Sequence, residues 1–361
     1  MDGRSWCSLD EIAPLSQLRY LILHGLEKVS ASLLAKKATI SSKGRLSYLR
    51  LHCSSDKYMR LTDEIEKQQQ QRAIEKVFNN LCPPSCIENL GMKGGYFGRR
   101  LPNWMMAPAT AAFESLRYLD LDDLPCCTHL PSGLCQLPSL DVLIIKSAPA
   151  IKSVGPEFMG STSLAVGEGG VVAATSAAFP KLRILQLDDL SQWKEWVWED
   201  VTADAMAMPS LECINIDSCK LSRLPPGLAN GKRRHALTEL NLYGFINLTY
   251  VENFPSVVDL DVFDCPKLKR ISGLSRLQKI RILRCPNLEV LEGIPALDSM
   301  ELQDNTMETL PGYLRSVNPR YLDLGCGKKL CESLLSSGSS SEWDKISHIR
   351  TRNIYELEDE D

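Results

Sequence analysis

With 361 residues, 24% of them charged and 44% hydrophobic, the chain has an ordinary soluble composition. It exceeds the roughly 250–300 residues at which one core stops growing, so it needs several domains or a stack of units that touch only their neighbours. A formal net charge of -4 speaks against a general nucleic-acid binder, and no apolar run approaches the ~20 residues of a membrane helix.

The first ten residues lack an apolar signal-peptide core. Thirteen cysteines scattered along the chain read as reduced thiols rather than a disulfide framework. Both features predict a cytoplasmic or nucleocytoplasmic protein, and the charge and the lack of a long apolar run predict one that neither binds nucleic acid nor enters a membrane. The first patterned segment is Leu18-Arg-Tyr-Leu21-Ile-Leu23, and Leu46-Ser-Tyr-Leu49-Arg-Leu51 repeats it. Ser30 to Ser42 between them reads as an irregular or strand-like outer segment. The chain enters mid-pattern, which predicts that the repeats begin upstream in some longer relative.

Residues 54–85 break the rhythm. Leu61, Ile65, Ile74, Val77, Phe78 and Leu81 among Glu, Lys and Gln predict an amphipathic outer helix, a helical insertion stopped by Pro83-Pro84. The pattern resumes around Leu90, Leu119 and Leu143, and residues 160–178 turn Gly-, Ala-, Ser- and Val-rich, which predicts a flexible loop. It returns at Leu185, Ile214 and Leu240, then becomes strict: the central aliphatic residue falls at Leu260, Ile280 and Met300, and again near Leu322. Ser336 to Ser341 reads as a Ser-rich linker and residues 336–361 as linker plus acidic tail.

A period of 20 residues carrying L-x-x-L-x-L-x-x-N/C-x-L is the signature of a leucine-rich repeat. Leu-x-Leu alternation buries one strand face and turns the intervening residues out, and the Asn or Cys position, here Cys219, Cys265, Cys285 and Asn305, turns inward. The predicted fold is an α/β solenoid, a leucine-rich-repeat horseshoe of about twelve irregular repeats with a parallel concave β-sheet over residues 1–335. Trp104, Trp193, Trp196 and Trp198 lie between strands and are expected to cover the core on the other side.

The phrases between strands carry a resemblance. Leu101-Pro-Asn-Trp-Met105, Ile151-Lys-Ser-Val-Gly-Pro-Glu-Phe158, Phe179-Pro-Lys-Leu182 with Trp193-Lys-Glu-Trp196, and Cys265-Pro-Lys-Leu268 occur in this order. The ordered set resembles the leucine-rich-repeat domain of plant NB-ARC disease-resistance receptors of the coiled-coil class. The resemblance implies a part in innate immunity: binding a pathogen effector or a host protein, or holding a nucleotide-binding domain inactive. The nucleotide-binding domain is expected to be lacking. Gly227-Leu-Ala-Asn-Gly231-Lys232-Arg233 is one residue short of a phosphate-binding loop and has no Ser or Thr after the lysine.

The outward strand positions are the candidate partner surface. Tyr118, Asp120, Asp122, Asp188, Asn215, Asp217, Asn241 and Asp261 predict an acidic to polar band, and Lys279, Arg281 and Arg284 follow with opposite sign, an arrangement that steers association. Tyr20 and Tyr48 share the outward position of Tyr118. No Gly-x-Ser-x-Gly or His-Glu-x-x-His occurs, and the close pairs Cys82 with Cys86, Cys126 with Cys127 and Cys326 with Cys331 lack converging histidines. The expectation is a protein-recognition module without catalytic, metal or cofactor sites. The alternative is a repeat adaptor presenting substrates to a ubiquitin ligase, for which residues 1–17 are too short to hold the expected F-box-like helices.

Overall fold

A computed structural model describes residues 9–29, 32–106, 112–159, 177–198, 207–229, 235–336 and 341–357. Residues 160–176 of the loop expected at 160–178, nearly all of the Ser-rich linker, the acidic end of the tail and the Gly231-Lys232-Arg233 stretch fall outside them. The chain divides into two compact units, Met1–Trp193 with Asp200–Ser210, and Lys194–Glu199 with Leu211–Asp361.

The first unit is a parallel ladder of six strands: Tyr20–Leu23, Tyr48–His52, Asn89–Lys93, Tyr118–Asp122, Val142–Lys146 and Ile184–Asp188. Their register aligns Leu21, Leu49, Leu90, Leu119, Leu143 and Leu185 in one row. From Leu49 onward, these residues and the second aliphatic of each strand are buried. Such side chains supply about 1.5–3 kcal/mol each, but only because the next coil covers them.

The helix expected in 54–85 spans Glu64–Asn80, with the Asp63 carboxylate capping the Ile65 N–H. It buries Ile74, Val77 and Phe78, and the Phe78 carbonyl accepts from the Trp104 indole at 3.0 Å. Ile65 departs from the expected face and is 68% exposed, because it lies in the first turn, beyond the coils the helix covers. The segment read as irregular or strand-like contains a helix, Ser32–Lys37. Lys43 beyond it is buried, its ammonium donating to the carbonyls of Ile12, Ala13 and Leu15.

The second unit is a ladder of seven strands: Cys213–Cys219, Glu239–Phe245, Asp259–Phe263, Lys279–Leu283, Ser299–Asp304, Tyr321–Cys326 and Thr351–Glu356. Ile214, Leu240, Leu260, Ile280, Met300 and Leu322 line up within it. A second, three-stranded parallel sheet of Tyr250–Glu252, Arg270–Ser272 and Val290–Glu292 runs along its flank at the same 20-residue spacing.

Two expectations fail in this unit. Thr351–Glu356 is a ladder strand and not tail: Arg352 pairs with Leu322, and Ile354 with Leu324. Arg352 breaks the leucine pattern because its guanidinium caps the carbonyls of Ile346, Ser347 and Ile349 and lies 4.9 Å over Trp343. Asn305 is exposed, and Asp304 is buried in its stead. The strand there runs one residue longer, so strict alternation carries Met300, Leu302 and Asp304 inward. All four tryptophans expected in the core are buried.

Candidate recognition face

In a parallel ladder the residues between inward leucines form three outward rows. In the first unit Tyr20 and Tyr48 stack at 4.1 Å, but Asn89 stands between Tyr48 and Tyr118 in that row, so Tyr118 is not in the stack. The middle row holds Arg50, Gly91 and Asp120. Gly91 leaves room for Arg50, whose Nε would lie 3.3 Å from an added Cβ. The third row holds His52, Lys93, Asp122, Lys146 and Asp188.

The expected acidic band is met by cations here. Lys93 lies 2.6 Å from Asp120 and 3.6 Å from Asp122, and Lys146 lies 3.0 Å from Asp188, which also accepts from Gln186. Burial acts against the charge of Lys93, yet the hydrogen bond and charge of Asp120, with Asp122 behind them, raise its pKa. Asp120 is buried despite facing outward, because side chains on adjacent strands close over a middle-row position.

His52 stacks on His24 at 4.5 Å. Desolvation first, then His24, Arg50 and Lys93, hold its pKa below the ordinary 6.5. On acidification through 6.5 the unfolded chain therefore takes up the proton before the folded one, and stability falls until the folded pKa is reached. The Tm of the native chain should drop more between pH 7.5 and 5 than that of His52→Gln. Parallel Tm profiles for the two proteins would remove the stack from the balance.

In the second unit the carboxylate of Asp261 takes a bidentate pair from Arg281 and a hydrogen bond from the Tyr243 hydroxyl at 3.3 Å. Burial, then Asp261, pushes the Tyr243 hydroxyl up to about 12. Lys279 lies 3.6 Å from Asp259, a carboxyl that burial pushes up and Lys279 pulls back. Asn241 bridges Asn215 and Glu239, and Asp217 accepts from Ser218. Next to these, Tyr243, Phe263 and Leu283 sit side by side in the third row, each half-buried. Arg284 lies 4.2 Å over the Phe263 ring. Sequence reasoning missed this aromatic and aliphatic group, though its 20-residue spacing was there to be read.

Within each unit the register places the candidate residues at the positions between the inward leucines, where Asp120, Asn241 and Asp261 are buried by their neighbours. Asp120, Asp122 and Asp188 in the first and Asp261 in the second are paired rather than bare. Among the described residues no group of three or more His, Cys, Asp or Glu could hold a metal ion, and no helix is long and apolar enough to cross a membrane. Burial pushes the Cys53, Cys213 and Cys219 thiols up to about 12, which leaves them poor nucleophiles at neutral pH.

Comparison with known proteins adds a lineage. Residues 9–148 match the family model described as R13L1/DRL21 leucine-rich repeats. The chain is 26% identical over 253 residues to the disease resistance RPP13-like protein 1 of Arabidopsis thaliana, covering 62% of this chain and 23% of that protein. Over these stretches the chain is similar to the repeats of plant disease-resistance proteins. A second Arabidopsis thaliana relative of this resistance type, the disease resistance protein RXW24L, is 27% identical over 117 residues, 30% of this chain and 12% of that one. The chain therefore spans less than a quarter of the length of either relative. Among solved structures, a leucine-rich-repeat protein of Leptospira interrogans overlays the chain at a TM-score of 0.45 with 14% identity, over 94% of this chain and 91% of that one. A score so low adds nothing to the ladders seen directly.

Proposed function

We propose that the chain is a non-catalytic recognition module of plant innate immunity whose open ladder face grips a protein: a pathogen effector, a host protein or the nucleotide-binding domain of a receptor. The observation that carries this reading is the patch of Tyr243, Phe263 and Leu283 bordered by the Asp261–Arg281 pair and Arg284. An aromatic and aliphatic centre with an arginine rim is the composition of a binding hot spot. Lineage supports the immune setting, since the relatives above are disease resistance proteins. The remaining outward candidates, Tyr118 through Asn241, would widen the contact on each unit's own face.

A photo-crosslinking amino acid placed at Leu283, or at Tyr250 on the flank sheet, tests the face directly. Extracts of challenged leaf tissue should yield a discrete adduct from Leu283 only. Phe263→Ala and Arg284→Ala should each weaken capture of that partner about tenfold or more, as hot-spot truncations do, without changing Tm by more than a few degrees. An adduct from Tyr250 alone, or capture indifferent to both substitutions, removes the open face from the account.

A further inference from the structure

A regular turn closes eight successive ladder strands, from Asn89–Lys93 to Lys279–Leu283. Gly94, Asp123, Ser147, Asp189, Ser218, Gly244, Asp264 and Arg284 all have positive φ. The bend directs the next residue inward, where Leu124, Ala148, Leu190, Cys219, Phe245, Cys265 and Cys285 are buried. The Ser299–Asp304 strand does not turn at this point. It continues straight and puts the Asp304 carboxylate, 7% exposed, into a corner that the other coils fill with apolar groups.

A carboxylate in such a place is costly unless it is paired. Oδ1 accepts from the Thr306 N–H at 2.9 Å and the Thr306 hydroxyl at 2.6 Å. Among the described residues, no donor reaches Oδ2 and no Lys or Arg pairs with Asp304. Lys345 stands nearby, but its ammonium is held by both oxygens of Glu342 at 2.9 Å and by the Leu310 carbonyl at 2.7 Å.

Asp304 opens onto a cavity of about 530 Å³ whose walls include Leu302, Met307, Leu310 and Tyr313. The cavity exists because the flank sheet stops at Val290–Glu292. The following coil reaches Pro311, which has no N–H to extend a ladder, and passes into the 3₁₀ turn Gly312–Arg315. Tyr313 is 5% exposed, and its hydroxyl makes no hydrogen bond within the described residues. Burial raises its pKa, so it stays neutral. Glu289 and Glu308 at the rim are exposed and add negative charge.

We propose that this cavity is a socket for an arginine side chain of a polypeptide partner, with the guanidinium on Asp304 and the Tyr313 hydroxyl and the aliphatic stem along Leu302, Met307 and Leu310. The forked donors of a guanidinium match a carboxylate and a neighbouring hydroxyl together, and the apolar walls suit a stem that keeps its charge at one end. An anion meets three carboxylates and a single lining cation, Lys345, that Glu342 already holds, and a purely apolar group leaves Asp304 unpaired. The socket lies on the flank and does not depend on the open ladder face.

The test uses the full chain and n-butylguanidinium, with n-butylurea as its neutral isostere, in calorimetric titration and thermal melts. The guanidinium should bind at least about tenfold more tightly than the urea and raise Tm, as any ligand selective for the folded state does. Asp304→Asn should weaken it about tenfold and, without ligand, melt higher than the native chain, since an unpaired buried charge has gone. Tyr313→Phe, which keeps the ring and the packing, should weaken it about threefold. Equal affinity for guanidinium and urea overturns the proposal. So does affinity unchanged in both variants, or no binding of the guanidinium at about 20 mM.

Discussion

Truncating Ile280 to alanine should lower the unfolding free energy of the chain by about 3 kcal/mol. Ile280 is fully buried and stands between Leu260 and Met300 in the central row of its ladder. Removing its outer carbons forfeits both their transfer from water and their contacts with two adjoining coils. The packing of a coil is shared with its neighbours, so the loss weakens two interfaces at once. Lys279→Ala, one residue away on the same strand and pointing to solvent, should stay within about 0.5 kcal/mol. Urea unfolding followed by circular dichroism distinguishes the two. If the two variants unfold at the same midpoint, Ile280 does not carry the stack.

Much of this architecture was legible because each coil repeats the same physical demand. Leu260, Ile280 and Met300 could be placed inward from spacing alone, and the four tryptophans between strands from their apolar area. The flank sheet was not readable as strands in this way: each contributes one buried residue, Val251, Ile271 or Leu291, too few to show the in–out alternation of a strand. The strand at Thr351–Glu356 was hidden because Arg352 stands where leucine is expected and satisfies carbonyls there instead. Asn305 misled because its residue type fits the inward position, whereas strand length decides which residue occupies it.

The candidate face shows the same division. Residue types and outward phase were visible in the sequence, and the partners of the carboxylates were not. Lys93 precedes Asp120 by one irregular coil and Arg281 follows Asp261 by one regular coil, and only the strand register brings each pair together. An outward carboxylate read from sequence is therefore an offer of charge that an adjacent coil can take up before any partner does.

Asp261→Ala is the substitution that separates these roles, and it should destabilise the chain by about 2 kcal/mol. The carboxylate side chain is 9% exposed and accepts from Arg281 twice and from Tyr243 once. Charged hydrogen bonds of this kind contribute about 1.5–3 kcal/mol, and Arg281, at 42% exposure, recovers part of that loss from water. Replacing both residues, Asp261→Ala with Arg281→Ala, should cost less than the sum of the single changes, because neither then leaves a buried group unpaired. A double-mutant cycle in urea measures the difference. Strict additivity would mean the pair contributes nothing to the ladder and is free to serve a partner; coupling of about 1 kcal/mol or more would make it chiefly the frame that holds Tyr243 and Phe263 in place.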